Sequence, residues 1–136
     1  MTDEAEPVPR RRPGRVVLAA VVLVVFGALT VVNGWALQRI ADDSAAHGQS
    51  VPAVLYGALY LQYALGLGQI VSAVFVWQGR HWARILAIVL CSVNILLALL
   101  SLAAGALYLG CLGILVNAAL IRMLTLDEVT DWCGRH

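Results

Sequence analysis

An all-α fold, a four-transmembrane-helix bundle with short loops and a short C-terminal interfacial helix, is predicted by three features of this sequence. Hydrophobic residues fill 61% of the 136 positions and charged residues only 12%, about half the charged share of a typical soluble domain. The charges gather in clusters that leave three runs without Asp, Glu, Lys or Arg: Val16 to Gln38, Ser44 to Gly79 and Ile85 to Ile121. A hydrocarbon layer about 30 Å thick takes about 20 apolar residues per helix, so run length converts into spans.

The first run fits one span, residues 16–38. The second opens on the polar loop Ser44-Ala-Ala-His47-Gly-Gln-Ser-Val-Pro52, and Pro52 suits the first turn of a helix over 52–77. The third run would make a single helix of about 55 Å at 1.5 Å per residue, enough for two spans. Gly105 is the place for the turn between them, because glycine tolerates the left-handed conformation that ends helices. Helices over 82–103 and 106–124 follow. Residues 16–124 thus form one transmembrane domain. Residues 1–15 precede it as a polar, Pro-containing tail expected to be disordered, and 125–136 follow as an interfacial segment.

Thr125-Leu-Asp-Glu128 matches a capping box, flanked by Leu124 and Val129 as a hydrophobic staple. A new short helix is expected there, with Leu126, Val129, Trp132 and Cys133 on its apolar side. Such a segment suits the cytoplasmic membrane surface. The N-terminal arginines followed by an apolar run also have the outline of a secretory or twin-arginine signal. The run of about 22 residues exceeds the roughly 7–15 of a signal core, so it is read as a permanent span.

All nine basic residues are arginine. Arg10, Arg11, Arg12, Arg15, Arg80, Arg84, Arg122 and Arg135 fall on one side of the predicted bundle and Arg39 alone on the other. The positive-inside rule therefore places both termini in the cytoplasm and the chain, as a multi-pass protein, in the inner (plasma) membrane.

Val76-Trp-Gln-Gly-Arg80-His-Trp-Ala-Arg84 is the densest polar cluster near a span. Gln78-Gly79 supplies a tight turn between the second and third helices. Trp77 and Trp82, with Trp132 in the tail, have the character of interfacial anchors, and Arg80, His81 and Arg84 are candidates for contact with anionic lipid or a partner.

Small residues recur along one side of each span: Gly27, Thr30 and Gly34; Ala64, Gly68 and Ser72, with Gln62 and Gln69 nearby; Ala87, Cys91, Asn94, Ala98 and Ser101; Ala106, Gly110, Gly113 and Asn117. These sides should face inward, since small residues let membrane helices approach closely. Gln69, Asn94 and Asn117 fall near the midplane. They are expected either to hydrogen-bond across three helices or to line a small polar cavity.

No Asp, Glu, Lys or Arg lies within a predicted span, whereas intramembrane acid–base chemistry needs such groups. No His or carboxylate cluster has metal-ligand spacing. Cys91, Cys111 and Cys133 lack the close spacing of redox pairs and read as buried small hydrophobes. No catalytic residue, metal site or cofactor is expected, and no nucleic-acid partner. The expected partners are the lipid bilayer and either a second copy or another membrane protein.

Four spans in this length, the Lys-free arginine set, the Trp77-x-Gly79-Arg80-x-Trp82-Ala83-Arg84 turn and the closing Val129-x-x-Trp132 resemble small uncharacterised integral membrane proteins of high-GC actinobacteria. That resemblance implies no particular activity. Size and span number are also similar to small multidrug resistance transporters, but that family relies on a glutamate in its first helix and Val16 to Gln38 has none. The sequence therefore points to a non-enzymatic membrane subunit or accessory factor acting through helix–helix association. The alternative is a carrier or binder of a small neutral or lipid-like molecule at the midplane amides.

Overall fold

A computed structural model describes residues 11–134. Its five helices are α1 (Gly14–Ala46), α2 (Ala53–Trp77), α3 (His81–Ala103), α4 (Leu107–Leu124) and α5 (Asp127–Cys133). The first four are long and apolar enough to cross a membrane, and the chain is a multi-pass membrane protein. Arg10, Arg135 and the greater part of the N-terminal tail lie outside the described residues.

The three connections between spans use the same physical device. Gly48, Gly79 and Gly105 have φ of 73°, 80° and 90°, which a residue with a Cβ adopts only with strain. Each sits just past a helix end, and paired reversed hydrogen bonds close the turn. Arg80 N–H donates to Phe75 at 3.0 Å and Gly79 N–H to Val76 at 3.0 Å. Ala106 and Gly105 repeat the pattern at the end of α3, and Gln49 and Gly48 at the end of α1. The last carbonyls of each helix are thereby satisfied where the chain reverses.

Helix α1 differs from expectation, running to Ala46 instead of stopping near residue 38. Its 33 residues span about 50 Å, well beyond the hydrocarbon thickness. Charge marks where hydrocarbon ends but does not end a helix. Arg39 stays helical with its guanidinium 4.8 Å from the Trp35 ring centroid, and the helix continues until glycine permits a reversal at Gly48.

Helices α1 and α2 form one tight antiparallel pair and α3 and α4 another. A Cβ on Gly27 would stand 2.8 Å from the Gly66 carbonyl oxygen, and one on Gly66 would stand 2.9 Å from that of Gly27. The backbones therefore touch at this crossing. In the second pair a Cβ on Gly110 would meet Leu102 and, at 2.9 Å, the Ala98 carbonyl. The expected inward stripes of α1, α3 and α4 hold. In α2, Ala64 is exposed, and Gly66, on the line joining Gln62 and Gln69, makes the contact instead.

The core shared by all the helices occupies the half of the molecule that carries the α2–α3 turn and α5. Leu23 of α1, Val76 of α2, Ala87 of α3, Leu120 of α4 and Val129 of α5 belong to it. Toward the other end, burial comes from within the hairpins, as at Gly34 against Tyr63 and at Gly113 against Ala98.

Helix α5, the expected short C-terminal helix, packs across the core end of the bundle. Val129 and Cys133, one turn apart, are both fully buried, and α5 packs on α1, α3 and α4. The expected capping box does not form. The N-cap is Leu126, without a side-chain bond, and the Thr125 hydroxyl turns back to donate to the Arg122 carbonyl at 2.9 Å. Thr125 thus finishes α4, while Leu124 and Val129, the expected staple, are both in the core.

Candidate functional site

Two groups of residues could carry function: the polar turn between α2 and α3, and the amides within the spans. At the turn, Arg80, His81 and Arg84 do not converge. Arg80 and His81 are exposed, and the Arg80 guanidinium lies 5.6 Å from the Phe75 ring centroid. Arg84, one turn into α3, points into the molecule, where its Nε donates to the carbonyl oxygen of Leu124 at 2.8 Å. That carbonyl belongs to the last turn of α4, where helix carbonyls lack intrahelical partners and the dipole favours a cation. Arg84 therefore joins α3 to the end of α4.

The same guanidinium acts on α5. Burial pushes the Cys133 thiol above its ordinary pKa, and the positive charge of Arg84 partly offsets this. Beside it, Arg15 of α1 pairs with Glu128 of α5 at 3.4 Å. Both partners of that pair are about half exposed, so its contribution is at most about 1 kcal/mol.

The tryptophans are placed unequally. Trp82 is half-exposed and its ring packs on Phe75, with centroids 4.9 Å apart. Trp77 is also on the surface, covered on one face by the Arg12 guanidinium at 4.8 Å. Trp132 instead packs against the core, with its indole N–H buried and, among the described residues, without a partner.

The amides do not hydrogen-bond across three helices. Asn94 Nδ2 donates to the Leu90 carbonyl at 3.1 Å and Asn117 Nδ2 to the Gly113 carbonyl at 2.7 Å, both within their own helices. Gln69 is 0% exposed, and among the described residues neither its Nε2 nor its Oε1 has a partner. The Oδ1 of Asn117, 1% exposed overall, is likewise unpaired. Gln69 and Asn117 sit on α2 and α4, which belong to different hairpins and scarcely touch.

An unpaired buried amide costs about 1–3 kcal/mol. Gln69→Met keeps the length and volume of the side chain and removes both polar atoms. It should raise the unfolding midpoint in SDS-titrated mixed micelles, by about 1 kcal/mol in stability. A loss of stability would mean that Gln69 has a bound partner in the membrane.

The cysteines separate by environment. Cys91 and Cys133 are buried and Cys111 is exposed on α4, and all three are free thiols. The expectation of burial fails at Cys111, which lies on the side of α4 opposite Asn117, Leu120 and Leu124. Sequence reasoning missed Gly66 and the inward turn of Arg84. A signal existed for the first, since Gln62, Gly66 and Gln69 recur at helical spacing.

A family model described as a domain of unknown function, DUF7144, matches residues 15–128. No curated protein and no solved structure matches the chain.

Proposed function

The chain belongs to the DUF7144 family, and we propose that it is a non-enzymatic plasma-membrane subunit or accessory factor that works through helix–helix association. The supporting observation is the outer side of α4. Cys111, Leu115, Ala118 and Arg122, at steps of four, three and four, are all exposed after the bundle has closed, as is Ala119. Small residues there leave a shallow surface on which another helix can approach closely. Both termini are assigned to the cytoplasm on the distribution of arginines, and a reporter fused after His136 should read cytoplasm. The Lys-free basic set is consistent with a high-GC actinobacterial origin.

A photo-crosslinking residue at Ala118, in native membranes, tests the reading. A discrete crosslinked species should form there, either with a second copy or with one other membrane protein, and not from Leu29 on the outer side of α1. Equal crosslinking from both positions, or none from Ala118, would remove it.

A second reading has one observation in its favour. The unpaired atoms of Gln69 and Asn117 are what a small neutral or lipid-like ligand with hydrogen-bonding groups would satisfy, so the chain would then be a binder or carrier. Destabilisation by Gln69→Met would support that reading over association alone.

A further inference from the structure

The outer surface between α1 and α2 carries a groove that neither the association reading nor the amide reading uses. It encloses about 300 Å³ and is lined by Ala20, Val21, Val24 and Val25 of α1 and by Ala73, Val74, Trp77 and Gln78 at the end of α2. Its origin is in the packing. The glycine crossing at Gly27 and Gly66 holds the helices together farther along, and at the core end the small side chains of Ala20 and Ala73 form a low floor. Both are buried, while Val21, Val24, Val25 and Val74 stand exposed on either side. The furrow follows the helix axes and is almost wholly apolar, so inside a bilayer it has the shape and polarity of an acyl-chain site.

The end of the furrow is different. Trp77 closes it at the last residue of α2, beside Gln78, and the Arg12 guanidinium lies 4.8 Å from the Trp77 ring centroid. A cation over a ring meets only one side of its own charge, and the five N–H donors of the exposed guanidinium keep access to oxygen acceptors. Arg12 is exposed, and among the described residues it has no carboxylate partner, in contrast to Arg15, which is paired with Glu128. An interfacial tryptophan and an arginine therefore sit where a headgroup would emerge from a chain lying in the groove. Arginine's planar fork matches phosphate oxygens.

We propose that the α1–α2 groove binds one phospholipid with a net negative headgroup, its acyl chain between Val21, Val24, Val25 and Val74 and its phosphate on Arg12 beside Trp77 and Gln78. The acyl chain supplies contact that any phospholipid could make. Arg12 supplies the preference for net negative charge, because a zwitterionic headgroup brings its own cation to the same place.

The test uses the full chain, purified in detergent, delipidated and examined by native mass spectrometry during titration with dioleoylphosphatidylglycerol or dioleoylphosphatidylcholine. One phosphatidylglycerol should bind per chain about tenfold more tightly than phosphatidylcholine, a difference of about 1.4 kcal/mol. Arg12→Gln should bring the two lipids to equal affinity. Val24→Trp, which fills the groove, should weaken both, whereas Arg80→Gln at the neighbouring turn should leave the preference intact. Glycerol phosphate in millimolar excess should not displace the lipid. Equal binding of both lipids to the unaltered chain would overturn the proposal. So would an unchanged preference in Arg12→Gln, unchanged binding in Val24→Trp, displacement by glycerol phosphate, or a chain dimer that excludes lipid from the groove.

Discussion

Gly66→Val should be among the most damaging single substitutions in the protein. A Cβ at this position would stand 2.7 Å from Val31 Cγ2, 2.9 Å from the Gly27 carbonyl oxygen and 3.2 Å from the Val31 backbone nitrogen. A side-chain tip can rotate away, but two of these three atoms are backbone of α1, so relief requires the helices to separate. In a bilayer that separation exchanges close helix–helix packing for looser lipid packing, and packing is the main force holding such helices together. The expected loss is about 3 kcal/mol, at the upper end of ordinary overpacking. Gly57→Ala on the same helix is the control. Nothing among the described residues lies within 4 Å of a Cβ at Gly57, and replacing a helical glycine by alanine is favourable by about 0.5–1 kcal/mol. SDS-titrated unfolding of the two variants should therefore shift in opposite directions. A Gly66→Val protein as stable as the unaltered chain would show that the α1–α2 crossing is not the tight contact described.

The number of spans and the position of two turns were legible because they depend on quantities that a sequence displays directly. Apolar run length against bilayer thickness gives the spans, and Gly79 and Gly105 are isolated glycines at the right distance. The inward stripes of α1, α3 and α4 were legible for a similar reason, since only small side chains permit the close approaches seen at Gly27 and Gly110. What a sequence hides is the partner of each surface. Helix α2 offers glycine both at Gly66 and at Gly68, and their neighbours decide their roles: Gly66 meets the α1 backbone, while Gly68 meets the Leu90 side chain. The amides illustrate the same limit. Gln69, Asn94 and Asn117 could be placed at depth within the bundle, yet the direction in which each side chain points depends on packing. Asn94 and Asn117 chose carbonyls one turn back on their own helices.

The short helix α5 forms as the sequence predicts, but its expected cap loses a competition between local and tertiary effects. Thr125 and Glu128 have capping-box spacing, but Thr125 also ends α4, and its hydroxyl was taken by the Arg122 carbonyl. Glu128 then pairs with Arg15. Part of the apolar side of α5 is taken up by the bundle, because Val129 and Cys133 fit the core end that α1, α3 and α4 leave open.

Arg84→Ala tests how that end is held and is the second substitution expected to cost most. Arg84 reads in sequence as a topology charge, yet its Nε bond to Leu124 makes it the link between α3 and the last turn of α4. Alanine removes a charged hydrogen bond, about 1.5–3 kcal/mol, together with the packing of the arginine stem. The Leu124 carbonyl loses its partner. Arg84→Lys should recover only part of the loss, since a flexible ammonium does not reproduce the fixed guanidinium fork.

Cys133 reports on the same change with a sign that separates two outcomes. In the intact protein its thiol is held above the ordinary value of 9.0 by burial, and the charge of Arg84 pulls the other way. If Arg84 acted only through charge, its loss would leave α5 docked and raise the thiol further, and alkylation at neutral pH would slow. If Arg84 holds the end of the bundle together, α5 loosens, Cys133 becomes exposed and alkylation accelerates; this is the expected result, read by peptide-resolved mass spectrometry after maleimide treatment. The unaltered protein should also lose stability as pH rises through and above the ordinary thiol value. There the unfolded chain releases the Cys133 proton before the folded one does. In Arg84→Ala that pH dependence should flatten, because a thiol exposed before unfolding has nearly the same proton affinity in both states.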